Sequence, residues 1–236
     1  MAEIGTLVPR FMLNPIRRHF TTMSGGTKRP ISTLADPDRQ EIVNRLNANI
    51  RYTLNDRKIH PRKASVLVPL TLVDSKPSLL FTVRAENLSS HKGEVSFPGG
   101  IQDPTDRDAI HCALRETEEE LGLKPEHIEV LGQFNDYPSL HNIAVSTVIG
   151  FISPDHLHLI QHNPGEIQSV FTVDLDTLCH RETLRFRIDP AGKRGALPYF
   201  VVDGHPDIWG LTGYITHHFL KSILKLDLAA IPKATL

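Results

Sequence analysis

Cysteine, tryptophan and long apolar runs are all scarce in this chain. Its 236 residues include two cysteines, Cys112 and Cys179, too few for a disulfide framework and in keeping with a reducing compartment. The single tryptophan, Trp209, either packs or flanks a ligand, and packing is its commoner use. No run of about eighteen apolar residues occurs, so no membrane-spanning helix is expected. A formal net charge of -1 at pH 7 leaves no bulk field to favour nucleic acid or an anionic membrane. With 22% charged and 40% hydrophobic residues the composition is that of an ordinary globular protein, long enough to bury a core without a staple.

Histidine, by contrast, is plentiful. His156-x-His158 and His217-His218 invite a zinc reading, but neither has H-E-x-x-H spacing and no four-ligand set accompanies them. Before Asp36 the only acid is Glu3, against Arg10, Arg17, Arg18, Lys28 and Arg29. That basic, Ser/Thr-rich composition suits a mitochondrial transit segment, with peroxisomal or cytosolic residence as alternatives. The C-terminal Lys233-Ala234-Thr235-Leu236 is not S-K-L, which weakens the peroxisomal option. Residues 1–35 are therefore set apart from a single domain at 36–236.

Local patterning gives that domain its elements. Asp36-Pro37-Asp38 reads as a capping acid followed by a first-turn proline, opening a helical extension with an apolar stripe at Ile42, Val43, Leu46 and Ile50. Strands are expected at 64–73, 79–83, 93–97, 128–134, 143–152 and 166–173. A hairpin is expected from 184–188 and 197–202 around Asp189-Pro190-Ala191-Gly192, and a turn at Pro98-Gly99-Gly100. A helix over 106–121 would bury Ala109, Ile110, Ala113, Leu114 and Thr117, with Cys112 as packing and Gly122 as a left-handed cap. Leu211, Ile215, Phe219, Leu220, Ile223 and Leu224 mark a last amphipathic helix. Strands and helices interleave, so the fold class is α/β, with a mixed sheet covered by helices.

The chemistry concentrates between Phe97 and Leu123. Glu116, Glu118, Glu119 and Glu120 crowd the end of a helix, where the dipole already disfavours anions. Glu116, Glu119 and Glu120 stand at i, i+3 and i+4 on one face. An acidic helix face is ordinarily a solvated surface. Here the alternative is a hard divalent cation on the oxygen ligands, Mg2+ or Mn2+.

The surrounding residues resemble the box of the Nudix hydrolase family, G-x5-E-x7-R-E-U-x-E-E-x-G-U with U apolar. Gly100, Arg115, Glu116, Glu119, Glu120, Gly122 and Leu123 match it. Asp106 replaces the first glutamate, with eight residues instead of seven before Arg115, and Thr117 fills a usually apolar place. Upstream, Leu80-Phe81-Thr82-Val83-Arg84-Ala85, Gly93 and Phe97-Pro98-Gly99-Gly100 resemble the signature of the coenzyme A diphosphatase branch. Phe81 and Ser89 replace a leucine and an arginine of that signature. Asn163-Pro164-Gly165-Glu166-Ile167 and Ile208-Trp209-Gly210-Leu211-Thr212 also look like segments of the branch.

The resemblance implies an α/β/α sandwich and metal-dependent hydrolysis of coenzyme A or acyl-coenzyme A at its diphosphate. It implies Glu116, Glu119 and Glu120 as metal ligands, joined by the Gly100 carbonyl. It gives Arg115 the task of pairing with an acid, here Asp106, to steady the box alongside Gly122. A general base is required, either Glu166 or one of Glu119 and Glu120. Arg84 and Lys92 are candidates for phosphate, and Gly99 for close backbone approach to the substrate. The expected partner is thus a small nucleotide, with no nucleic acid. A homodimer is compatible with the reading.

Overall fold

A computed structural model describes residues 33–55, 61–88, 90–139, 142–188 and 196–228. Most of the basic N-terminal segment, Ser89, the turn at Asp189 and the C-terminal tetrapeptide lie outside the described residues. Leu34, assigned to that N-terminal segment by composition, is 1% exposed and belongs to the core.

Helix α1 (Asp36–Ala48) is followed by β1 (Arg62–Val73), β2 (Lys76–Arg84), β3 (Val95–Ser96) and β4 (Gly99–Ile101). Helix α2 (Ala109–Leu121), β5 (Ile128–Pro138), β6 (Ile143–Ile152) and β7 (Ile167–Asp174) come next. The short α3 (Leu175–Cys179), the hairpin β8 (Leu184–Ile188) and β9 (Ala196–Phe200), and α4 (Gly210–Phe219) follow. Among the described residues β1 to β7 form a seven-stranded sheet and β8–β9 a separate pair.

The sheet is mixed, because β1 and β6 run parallel while the other pairs are antiparallel. Its first two strands diverge. β1 and β2 share register only from Leu70↔Leu79 to Val73↔Lys76. Beyond that point β1 pairs with β4 and β2 with β3, so the segment from Val95 to Ile101 fills the opening between them. The Pro98-Gly99-Gly100 stretch, expected as a turn, therefore carries strand pairing at Gly99 and Gly100, since backbone donors inside such an opening need partners.

Apolar side chains alternate across the sheet and bury against a helical layer on each side. Leu67, Leu80 and Val148 meet Ala113 and Leu121 of α2 on one face. Val68, Leu70, Phe81 and Ile149 meet Ile42 and Leu46 of α1, and Ile215 and Phe219 of α4, on the other. This is the α/β/α arrangement expected.

Several local expectations need correction. Helix α1 is capped by Ala35 without a side-chain bond, and Asp36 is already helical. It ends at Ala48, so Ile50 falls off the apolar stripe and is 95% exposed. α2 starts at Ala109, not 106, because Asp108 takes the cap and accepts from the His111 amide at 2.8 Å. Of its expected inner face, Ala113 and Thr117 are fully buried, joined by Cys112, while Ile110 and Leu114 are only partly covered. The last helix finishes in a π turn over Leu220–Leu224, closed by Lys225 in the left-handed region.

Candidate functional site

Both ends of α2 are anchored, and that fixes where its acids lie. At its start the Ser65 hydroxyl on β1 donates to the Ala109 carbonyl at 2.6 Å. At its end Gly122 adopts φ 68, the left-handed cap its lack of a side chain allows. The loop after β6 then folds back: the Gln161 and Asn163 amides donate to the Leu121 and Glu120 carbonyls, each at 2.8 Å. These bonds satisfy carbonyls a helix terminus leaves open and carry Glu166 to the same end of α2.

Arg115 is the hub of the first half of the site. Its Nε and one terminal nitrogen hold Asp106 at 3.0 and 2.9 Å, as the resemblance implies. The guanidinium also reaches Glu116 at 2.9 Å and Glu119 at 3.0 Å. A simple angular argument along the helix would turn Arg115 away from its neighbours; the long side chain bends back across them instead. Asp106 is buried, and hydrogen bonding from Arg115, with further help from the Asp103 amide and His111, holds its carboxyl far below the usual range.

Glu120 sits differently. It is 2% exposed, accepts from the Gly99 amide at 3.0 Å, and lies 3.8 Å from the Arg84 guanidinium. Burial pushes its carboxyl up to about 8, against the pull of the Gly99 amide and Arg84, with the charges of Glu116 and Glu166 adding to the rise. Burial likewise raises Glu116, and Glu119 and Glu166 add to it. Glu120, Glu116 and Glu166 thus feel one another's charge in one corner.

Backbone geometry shapes that corner. A Cβ on Gly100 would overlap the Glu116 carboxylate, and one on Gly99, at φ 152, would overlap the Ser65 carbonyl. Gly99 therefore needs to be glycine, and the missing side chain at Gly100 leaves room for the Glu116 carboxylate. Arg84 is fixed on both sides: its amide donates to the Glu94 carbonyl at 3.0 Å, and the next amide, Ala85, donates to the Glu166 carbonyl at 2.9 Å. Register with β7 shifts between Val83 and Arg84, a bulge that re-aims the arginine. Its Nε is buried without a hydrogen-bond partner.

The expected residues thus fall into two sets. Arg84, Gly99, Gly100, Glu116, Glu120 and Glu166 share the corner, while Asp106, Arg115 and Gly122 brace α2. Glu119 is half exposed and bound to Arg115. Lys92 is exposed on the turn before β3. Trp209 caps α4 and is 41% exposed, so it is not the buried packing residue a lone tryptophan usually is. Among the described residues no three His, Cys, Asp or Glu side chains are drawn into a closed metal cage. Like charges separate: Glu116 and Glu119 take Arg115, Glu120 takes the Gly99 amide, and Glu166 takes the Asn163 side-chain amide at 3.2 Å. The donors are nevertheless all oxygens, packed so that ionisation of one opposes the next, a chemistry that fits a hard divalent cation.

Sequence reasoning missed Asp108 as the cap, and Asp103 and His111 as partners of Asp106. The signal available for the cap was Asp108 itself, a favoured N-cap residue directly before Ala109-Ile110.

The chain's residues 61–194 match the family model described as NUDIX domain. It is 40% identical over 164 residues to the mitochondrial coenzyme A diphosphatase NUDT8 of Mus musculus, covering 68% of this chain and 78% of that protein. It is 39% identical over 150 residues to the peroxisomal coenzyme A diphosphatase NUDT7 of Mus musculus, covering 62% of this chain and 63% of that protein. The bacterial Nudix hydrolase NudL of Photorhabdus laumondii is 32% identical over 78% of this chain and 96% of its own length.

Proposed function

This chain belongs to the Nudix hydrolase family, and we infer that it hydrolyses the diphosphate of coenzyme A or acyl-coenzyme A to 3',5'-ADP and the corresponding 4'-phosphopantetheine. Its relatives at 40% and 39% identity are named as coenzyme A diphosphatases. The observation that carries the reading is the corner itself, where Glu116, Glu120 and Glu166 oppose one another's charge beside Gly99 and Arg84.

Glu116, Glu119, Glu120 and the Gly100 carbonyl are the residues to hold a divalent cation, Mg2+ or Mn2+. Such an ion neutralises phosphate charge and acidifies a bound water. The protein's own groups do the rest. Arg84, incompletely paired, offers its guanidinium to a phosphate oxygen, the geometry arginine suits. Gly99 lets the diphosphate approach the backbone. Lys92, exposed on its turn, meets the substrate from the solvent side. Glu166, brought in by its loop, accepts a proton from the attacking water, with Glu119 and Glu120 as the alternatives. Water adds to one phosphorus, the bridging P–O bond breaks, and the leaving phosphate carries the electron pair.

The basic segment before Asp36 is proposed as a mitochondrial address, and a fluorescent fusion with and without it tests that.

Purified full-length chain should be offered coenzyme A, an acyl-coenzyme A, NADH, ADP-ribose and diadenosine tetraphosphate with Mg2+ or Mn2+, and the products weighed. Masses of 3',5'-ADP and phosphopantetheine are expected to dominate. Faster cleavage of NADH or ADP-ribose would overturn the branch assignment. That second reading has one observation in its favour, Ser89 in the place of the branch's arginine.

A further inference from the structure

The box of this chain departs from the family pattern at Asp106 as well as at Thr117, and the first departure is the one that touches an ion pair. Asp106 is one methylene shorter than glutamate and one residue further from Arg115. The structure supplies compensation. Asp106 Oδ1 takes the Arg115 Nε at 3.0 Å and the His111 Nδ1 at 2.8 Å. Oδ2 takes an Arg115 terminal nitrogen at 2.9 Å and the Asp103 amide at 2.9 Å. A carboxylate offers about four lone-pair directions, so this one is filled. His111 and Arg115 are four apart on α2 and grip the same carboxylate from one helix face. The His111 backbone is itself held, since its amide donates to Asp108 at 2.8 Å. Asp106 stays ionised and can only accept, so Nδ1 carries the proton and donates.

We propose that His111 is a positioning residue for the acidic corner: it locks the short Asp106 so that Asp106 keeps the Nε and one terminal hydrogen of Arg115, leaving only the remaining donors of that guanidinium to Glu116 and Glu119. Without that lock the two hydrogens that Asp106 takes turn to the glutamates as well, and Arg115 competes more strongly with the cation they are proposed to hold. The inference rests on the cation site described under the proposed function. His111 touches no substrate. It acts through Asp106 and Arg115, as a partner behind a ligand sets that ligand's orientation.

The test titrates Mn2+ into the full-length protein and follows loss of the free-ion signal by electron paramagnetic resonance. His111→Ala should weaken Mn2+ binding by about tenfold or more. His111→Asn should restore it, because the Asn amide nitrogen falls near the position of Nδ1, whereas His111→Gln places its amide one methylene too far and should not. At saturating Mn2+ the alanine variant should recover wild-type kcat with KM for coenzyme A unchanged. Deleting Arg107 together with Asp106→Glu restores the family's spacing and acid, and in that background His111→Ala should become harmless. If wild type binds Mn2+ and all three His111 variants bind it equally well, the inference is wrong while the cation site stands. Equal behaviour of the Asn and Gln variants overturns it even if the alanine variant does not fold. If wild type binds no Mn2+, the cation site itself fails and the inference with it.

Discussion

Asp106 and Glu120 are both buried carboxylates at α2, each near an arginine, yet their surroundings are opposite. Asp106 accepts four hydrogen bonds and is held ionised far below the usual range. Glu120 accepts from the Gly99 amide, with Arg84 only at 3.8 Å, and burial raises it to about 8. Arg84 mirrors it, with its Nε buried and unpaired. One region has spent its bonding capacity on rigidity. The other holds carboxylates and a guanidinium whose bonding is incomplete, which is the condition of groups that a ligand completes.

The sharpest way to break the comparison is to remove the satisfied acid. Asp106→Ala should cost about 3 kcal/mol of stability or somewhat more, since it leaves Arg115 mostly buried with its strongest partner gone. Urea unfolding measures this, and a loss below about 1 kcal/mol would make the Asp106 cluster ordinary surface.

Glu120→Gln should do the reverse. Its kcat should fall about a hundred- to a thousandfold, the scale of losing one strong electrostatic contact in a site. Its stability should hold or rise, because a neutral amide escapes the desolvation that now raises Glu120. A Glu120→Gln protein that unfolds as readily as Asp106→Ala would erase the distinction between the two regions.

A third polar group, half-buried on α4 across the sheet from α2, calibrates them. His218 Nδ1 on α4 shares a hydrogen bond with the Tyr137 hydroxyl at 2.7 Å, and burial, with the nearby His217 charge, lowers it from 6.5 to about 4. The folded state therefore binds its proton less readily than the unfolded state. Stability is full above about pH 6.5 and falls as pH drops toward 4, by at most about 3 kcal/mol. Replacing His218 by Asn should flatten that part of the stability–pH curve, measured by thermal unfolding at intervals from pH 7 to 4. Asp106 contributes only at lower pH, so an unchanged curve would mean that other groups carry the acid sensitivity.

How far this contrast was legible beforehand follows from what a linear pattern encodes. The period of α2 and the left-handed cap at Gly122 were readable, because each depends on residues within one or two helical turns; the pairing of Arg115 with an acid came from the family resemblance, against the local angular argument. That Glu120 alone is deeply buried was not. Its environment comes from Gly99 and Arg84, set by how β3 and β4 fill the divergence of β1 and β2. Glu166 was named from a motif, but its arrival depends on the Gln161 and Asn163 amides docking on the end of α2. Helix starts differ from the expected ones by up to three residues: Ala35 rather than Asp36 stands at the cap of α1, without a side-chain bond, and Asp108 rather than Asp106 caps α2.

Lys92 gives the smallest effect and the finest test of the contrast. It was grouped with Arg84 as a phosphate-binding cation, but the structure separates them: Arg84 lies in the corner with a buried, unpaired nitrogen, and Lys92 is exposed. An exposed ammonium interacts through water and salt, and a contact of that kind is worth roughly 1 kcal/mol or less. Lys92→Ala should therefore raise KM for coenzyme A by no more than about fivefold with kcat unchanged, and the effect should vanish as salt screens it. Arg84→Ala should exceed it and persist in salt, because a guanidinium in a low-dielectric corner is poorly screened. If Lys92→Ala proved the more damaging of the two, incomplete bonding in the corner would no longer distinguish the groups that meet substrate, and exposure would be the better guide.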